Sequence, residues 1–105
     1  MAWAYLILAG IFEIGWPVGL KMAQEEGTRV QGMLIAIAFI IVSGALLWLA
    51  PKEIPLGTSY AVWTGIGAAG TFFVGVFYYG DPASLARYLG VLLIIAGVAT
   101  LKLAH

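Results

Sequence analysis

The sequence predicts an all-α integral membrane protein with four transmembrane helices. Of its 105 residues, 63% are hydrophobic and 10% are charged, and the mean hydropathy is +1.03. A chain this apolar cannot cover itself with polar surface in water. A helix of about 20 residues is long enough to cross the ~30 Å hydrocarbon core. Four such spans use nearly the whole chain. We therefore expect one four-helix domain over residues 1–105, with spans at about 3–22, 32–50, 57–79 and 84–103.

The first span carries the most informative residue, Glu13, near the middle of its apolar run. A carboxylate at mid-bilayer costs at least about 2.5–3.5 kcal/mol, and such acids are functional by default. Glu13 is therefore interpreted as a proton and cation site. The alternative is a protonated structural acid bonded to a neighbouring helix. Pro17 removes one backbone donor from this span, either as a functional bend or as a tolerated membrane proline.

The second span follows a polar segment, Gln24–Gln31, which is predicted to be the first loop. Ser43 is the only polar side chain of this span, and a lone serine in a membrane helix usually bonds the carbonyl four residues earlier. Pro51 and Pro55 bound the short turn that ends span two and positions span three.

The third span places several side chains on one helical face: Tyr60, Trp63, Thr64 and Gly67 are spaced i, i+3, i+4 and i+7. Residues Gly65–Gly70 formally match G-x-G-x-x-G. A dinucleotide site is rejected because no strand precedes the motif and the segment lies inside a membrane run. Gly65 and Gly67 are instead predicted to allow bending and close helix contact.

The fourth span carries Gly90 and Gly97, which are seven residues apart and therefore lie on one stripe. Small residues on one face of a membrane helix favour a helix–helix seam. Ordinary packing within the chain explains the spacing equally well.

Charge and composition exclude several classes of function. The net charge is zero, so no basic surface for nucleic acid is expected. The absence of Cys excludes disulfides, thiol chemistry and Cys-ligated metals, and the only His is the terminal His105. The sequence offers no nucleophile–base pair, metal set or cofactor motif, so neither an enzyme, a cofactor nor a metal site is expected.

The basic residues predict no single orientation in the membrane. Lys52 and Lys102 fall on the side of the termini, and the others fall on the opposite side: Lys21, Arg29 and Arg87. This bias is too weak to fix the topology. A chain this short has little interior for a substrate path, so we expect two copies that face a shared cavity. Copies in opposite orientations would form an inverted pair, in which protons and a cation compete for two carboxylates.

The chain resembles the small multidrug resistance family over its whole length, most specifically in four segments: Gly10–Trp16, Leu20–Lys21, Ile54–Gly67 and Leu101–Lys102. The resemblance implies a proton-coupled exporter of the bacterial inner membrane that works as an antiparallel, dual-topology homodimer. Trp16, three residues after the central Glu, and Thr64 are similar to the guanidinium-exporter subtype.

The resemblance also implies roles for particular residues. Glu13 would bind substrate and proton, and Ser43 would hydrogen-bond Glu13. The aromatic residues that would line the site are Trp16, Tyr60 and Trp63, and Lys102 would be accessory. A guanidinium is planar and carries donors that meet a carboxylate side-on. The expected partners are therefore small guanidinium-like cations, protons, the lipid bilayer, and a second copy or a sister subunit.

Two features depart from the subtype pattern. The segment Gly15–Pro17 replaces an apolar-Trp-small sequence, and Pro51 stands where a polar or small residue is more usual. They leave three alternatives open: a quaternary-ammonium or multidrug proton antiporter, one subunit of a heterodimeric exporter, and a structural or regulatory membrane peptide.

Overall fold

A computed structural model describes residues 2–50 and 53–104, and this part of the chain forms four long helices. Their bounds are Ala2–Ala23 (α1), Arg29–Leu49 (α2), Leu56–Tyr78 (α3) and Leu85–Ala104 (α4). Each is long and apolar enough to cross a membrane, which confirms the predicted helical membrane fold. The predictions for Pro51, Lys52 and His105 concern residues outside the described part.

The connection between α1 and α2 is shorter than the predicted loop. Instead of an open segment over Gln24–Gln31, the chain forms a 3-10 turn at Glu26–Thr28, and α2 begins at Arg29. The hydroxyl of Thr28 donates a hydrogen bond of 2.6 Å to the carbonyl of Met22. Carbonyls at a helix C-terminus lack intrahelical donors. The polar residues of this segment therefore serve to cap α1.

Helices α1 and α2 approach each other closely through small residues. A Cβ built on Gly19 would lie 2.6 Å from the backbone nitrogen of Ala36 and 2.8 Å from the carbonyl oxygen of Gly32. A Cβ on Gly32 would in turn meet the backbone of Gly19 and Ala23. Because the two backbones touch, no side chain fits between them. Small residues give membrane helices this kind of contact.

The buried core lies at the end of the bundle that holds the described termini. Leu6, Ile54 and Val62 are almost fully buried there, and the cluster also includes Ala2 and Ala50. Partly buried hydrophobic residues surround it, namely Trp3, Leu47, Trp63, Ile66, Val98 and Leu101. This core joins the start of α1, the end of α2 and the first turns of α3.

The chain is flat, with principal extents of 44 × 34 × 16 Å. Helix α1 packs against α2 and α3, whereas α4 packs against α3. Within α4, Val91 is the only buried residue. A Cβ on Gly65 of α3 would lie 2.5 Å from a methyl group of Val98, so this glycine brings α4 close. Most apolar side chains of α4 therefore face outward, towards lipid or another protein.

Candidate functional site

Glu13 lies on the face of α1 that packs against α3, and its side chain is partly buried. A Cβ built on Gly67 would lie 2.5 Å from Cγ of Glu13 and 3.1 Å from its Cβ. Any larger residue at Gly67 would collide with the acid. Gly67, which the sequence placed among residues for bending and packing, therefore provides the space that the Glu13 side chain occupies.

Ser43 connects three helices beside Glu13. Its hydroxyl is fully buried, donates a hydrogen bond of 2.7 Å to the carbonyl of Ala9 on α1, and accepts one of 2.8 Å from the indole nitrogen of Trp63 on α3. Oε1 of Glu13 lies 3.4 Å from the same hydroxyl. The default interpretation, that Ser43 bonds a carbonyl of its own helix, is wrong because the hydroxyl faces α1.

The hydrogen-bonding capacity of Ser43 indicates what it can do for Glu13. A hydroxyl has one hydrogen and two acceptor lone pairs. The short bond to Ala9 uses the hydrogen, and the indole of Trp63 uses one lone pair. One lone pair of the hydroxyl oxygen remains, so Ser43 could accept a hydrogen bond from Glu13 if that acid is protonated. An ionised carboxylate has no hydrogen to donate, so it gains less from Ser43.

Tyr60 and Trp63 form an aromatic surface next to this network. Their ring centroids are 5.4 Å apart, and the rings are tilted by 54°. Trp63 is held by its bond to Ser43, whereas Tyr60 is 57% exposed. The pair therefore combines a fixed ring with an accessible one. Such rings can attract a cation through a cation–π interaction.

A cavity of about 300 Å³ opens next to Glu13 between α1 and α3. The residues that line it come from these two helices: Glu13, Pro17, Thr64, Gly67, Ala68 and Thr71. The hydroxyl of Thr71 is buried and has no hydrogen-bond partner among the described residues. Sequence reasoning missed Thr71, although it lies four residues after Gly67 on the predicted face.

Other predicted site residues lie apart from this cavity. The indole nitrogen of Trp16 is buried without a partner among the described residues, and Trp16 is absent from the cavity lining. The Lys102 ammonium lies 4.8 Å from the ring centroid of Trp3 at the terminal end. A Cβ on Gly90 or Gly97 would meet nothing within 4 Å, so packing within the described chain does not explain these glycines.

The structure explains part of the segment Gly15–Pro17, which departs from the subtype pattern. A Cβ at Gly15 would collide with the ring of Phe39 on α2, and Phe39 also contacts Phe12 with a centroid separation of 5.5 Å. Gly15 therefore admits an aromatic ring between α1 and α2. Pro17 lies within α1, which continues as a helix through it.

Comparison with known proteins shows which family this chain belongs to. Residues 1–94 match the family described as Small Multidrug Resistance protein. The chain belongs to the small multidrug resistance family. It is 46% identical over 104 residues to proteins named Guanidinium exporter from Citrobacter freundii and Salmonella typhimurium, covering 99% of this chain and 98% of theirs. A guanidinium exporter from Yersinia pseudotuberculosis is also 46% identical, with 99% of each chain covered.

The family assignment and the four apolar helices together establish the location. The protein is a multi-pass protein of the bacterial inner membrane. The matched relatives are named as exporters, which are transport proteins.

Proposed function

We propose that this small multidrug resistance protein is a proton-coupled antiporter that exports guanidinium and small guanidinyl derivatives. Proton and cation compete for the carboxylate of Glu13, and two Glu13 side chains meet near the midplane of an antiparallel homodimer. The observation that carries the proposal is the partly buried Glu13 beside Ser43 and an open cavity, in a chain 46% identical to guanidinium exporters.

The contacts of Glu13 support competition between the two ligands. A protonated Glu13 has a hydrogen to donate, and the Ser43 oxygen, 3.4 Å from Oε1, is the polar group towards which it can turn. When it is ionised, its two oxygens match one edge of a planar guanidinium through paired charge-assisted hydrogen bonds. A guanidinium stays protonated at any working pH. Exchange therefore depends on the protonation of Glu13 alone.

The shape of one chain supports a dimer. The chain is only 16 Å thick, and its cavity beside Glu13 is open to the outside. A second copy that covers this face would enclose the cavity and bring its own Glu13 to it. Gly90 and Gly97, which face open space on α4, provide a small-residue stripe for contact with the second copy.

The energetics are adequate for export against a gradient. One pH unit is worth about 1.4 kcal/mol per proton. Each elementary charge that crosses a potential of 100 mV contributes about 2.3 kcal/mol. Inward movement of two protons for each guanidinium cation would therefore combine both terms, whereas exchange of one proton for one cation would use the pH gradient alone.

The proposal is tested by transport into proteoliposomes that contain the purified protein. Guanidinium or tetrapropylammonium is applied to wild type, Glu13→Gln and the control Glu26→Gln, whose side chain is exposed in the 3-10 turn. We expect guanidinium transport coupled to proton movement, followed as a pH change inside the liposomes, in wild type and Glu26→Gln, and none in Glu13→Gln. Apparent guanidinium affinity should fall as the pH is lowered, because protonation removes the charge that binds the cation.

Other outcomes identify the alternatives. Strong tetrapropylammonium transport would move the protein to the quaternary-ammonium or multidrug class. Transport that appears only when a sister subunit is added would indicate a heterodimeric exporter. Guanidinium transport that survives Glu13→Gln would contradict the role of Glu13.

A further inference from the structure

Pro17 alters the backbone of α1 one turn after Glu13. In an α-helix the N–H of residue i bonds the carbonyl of residue i−4. Proline has no N–H, and its ring pushes against that same carbonyl. Because α1 runs as one helix from Ala2 to Ala23 with Pro17 inside it, the main-chain carbonyl of Glu13 loses its usual donor. Glu13 therefore offers this carbonyl oxygen as an acceptor in addition to its carboxylate.

This carbonyl lies between two residues that line the cavity. Residues i and i+4 of a helix lie on the same face, one above the other. Glu13 and Pro17 both line the cavity of about 300 Å³, and the carbonyl lies between them along α1.

Thr71 lines the same cavity from α3. Its hydroxyl is buried and has no hydrogen-bond partner among the described residues. Thr64 on the same wall already donates its hydroxyl hydrogen to the carbonyl of Tyr60 at 2.8 Å, so it is not left without a partner as Thr71 is. A polar group without a partner at membrane depth costs free energy unless a ligand or water satisfies it. The Thr71 hydroxyl and the Glu13 carbonyl are thus two polar groups that lack their usual partners within α1 and α3.

A guanidinium ion needs more acceptors than one carboxylate. It presents N–H donors along all three of its edges, and a carboxylate pairs with one edge. The donors on the other edges lose their water when the ion enters the cavity, so they must find new acceptors. A tetraalkylammonium ion has no N–H group and gains nothing from such acceptors.

We propose that Pro17 and Thr71 form a second set of contacts for the substrate: the Glu13 main-chain carbonyl freed by Pro17 and the Thr71 hydroxyl accept N–H groups of guanidinium that the Glu13 carboxylate leaves unpaired. This inference rests on the proposed function and names the groups that select guanidinium over cations without N–H donors. It assigns Pro17 a binding role, in place of a bend or a merely tolerated membrane proline.

Three substitutions isolate these contacts. Pro17→Ala restores the N–H that closes the helical bond to Glu13, and Thr71→Val replaces the hydroxyl by a methyl group of similar size. Thr71→Ser keeps the hydroxyl and is the matched control. The dissociation constant of the purified protein is measured by tryptophan fluorescence, with guanidinium and with N,N,N′,N″-tetramethylguanidinium. This tetramethylguanidinium keeps one N–H on each of two nitrogens, so both N–H groups can pair with the carboxylate along one edge.

We expect Pro17→Ala and Thr71→Val each to weaken guanidinium binding about three- to tenfold, as for the loss of one hydrogen bond. Binding of tetramethylguanidinium should change less than twofold, because its N–H groups are all used by the carboxylate. Thr71→Ser should bind guanidinium like wild type.

Three results would overturn the inference. Unchanged guanidinium binding in both Pro17→Ala and Thr71→Val would show that the two groups are not contacts. Equal weakening for the two cations, or loss of binding in Thr71→Ser, would show that the substitutions act by disturbing the structure. If the wild-type protein binds no guanidinium, the proposed function is overturned as well. The first two results leave the proposed function intact, so the two failures can be told apart.

Discussion

The hydroxyl of Ser43 shows how a single atom holds the candidate site together. It receives the indole N–H of Trp63 from α3 and donates to the Ala9 carbonyl on α1, so three helices meet at one oxygen. Ser43 is fully buried, and no water in the surrounding hydrocarbon replaces a bond that is lost. The position of Trp63, and of the Tyr60 ring that packs against it, therefore depends on Ser43.

Removal of this hydroxyl should destabilise the fold. Ser43→Ala leaves the Trp63 indole N–H without its acceptor, which costs about 1–3 kcal/mol in unfolding free energy. The control is Thr100→Ala on α4, since the hydroxyl of Thr100 bonds only the Ala96 carbonyl of its own helix, at 2.7 Å. That change should cost less than about 0.5 kcal/mol. Unfolding in a denaturing detergent titration measures both.

A second background separates the Trp63 bond from other effects of the substitution. In Trp63→Phe the indole donor is already absent, so Ser43→Ala should cost clearly less there than in wild type. Equal costs in the two backgrounds, or equal costs for Ser43→Ala and Thr100→Ala, would contradict the proposed dependence of Trp63 on Ser43.

The sequence predicted the acid of this site and missed several of its neighbours, for physical reasons. A charge in an apolar run is conspicuous by its solvation cost, so Glu13 stood out. The acceptor that holds Ser43 is a main-chain carbonyl of Ala9, and every residue carries such a group. Sequence alone does not indicate which carbonyl a neighbouring helix reaches. Thr71 was on the predicted face of α3, but its importance depends on the register between α1 and α3.

The pairing of α1 with α2 depends on backbone contact. Gly19 and Gly32 bring the two helices so close that a built Cβ on Gly32 lies 2.5 Å from the Gly19 carbonyl oxygen and 2.9 Å from Cα of Ala23. Backbone atoms cannot move aside as a flexible side chain can. The four spans followed from hydropathy alone, whereas this pairing follows from glycine positions whose partners are visible only in three dimensions.

Two glycines of α2 give a matched test of this contact. Gly32→Ala should destabilise the protein by about 1–3 kcal/mol or more, because the added methyl group overlaps the backbone of α1. Gly44→Ala adds the same group where nothing lies within 4 Å. It should be neutral or stabilise by up to about 1 kcal/mol through helix propensity. The same detergent titration compares the two variants, and equal effects would argue against a backbone seam.

The whole chain is a thin layer whose two ends differ little in charge. Lys102 lies over Trp3 at the end of the described termini, and Lys21 lies 5.9 Å from the ring centroid of Tyr79 at the other end. Arg29 and Arg87 add to the Lys21 end. A bias this small does not commit the chain to one orientation. A flat layer with an open cavity and so small a charge bias is suited to the antiparallel pairing proposed above.

Dual topology should be visible by labelling single cysteines from one side of the membrane. The natural chain has no Cys, so every introduced thiol reports one position. Gly27→Cys lies in the exposed α1–α2 connection with no atom near its Cβ, and Glu53→Cys is exposed at the opposite end. With an impermeant maleimide on intact spheroplasts, we expect about half of each variant to react, because both orientations are required for antiparallel pairing. If one variant reacts fully and the other not at all, the chain has one orientation and the antiparallel homodimer is wrong. A sister subunit inserted the other way up would then have to supply the second Glu13-like carboxylate.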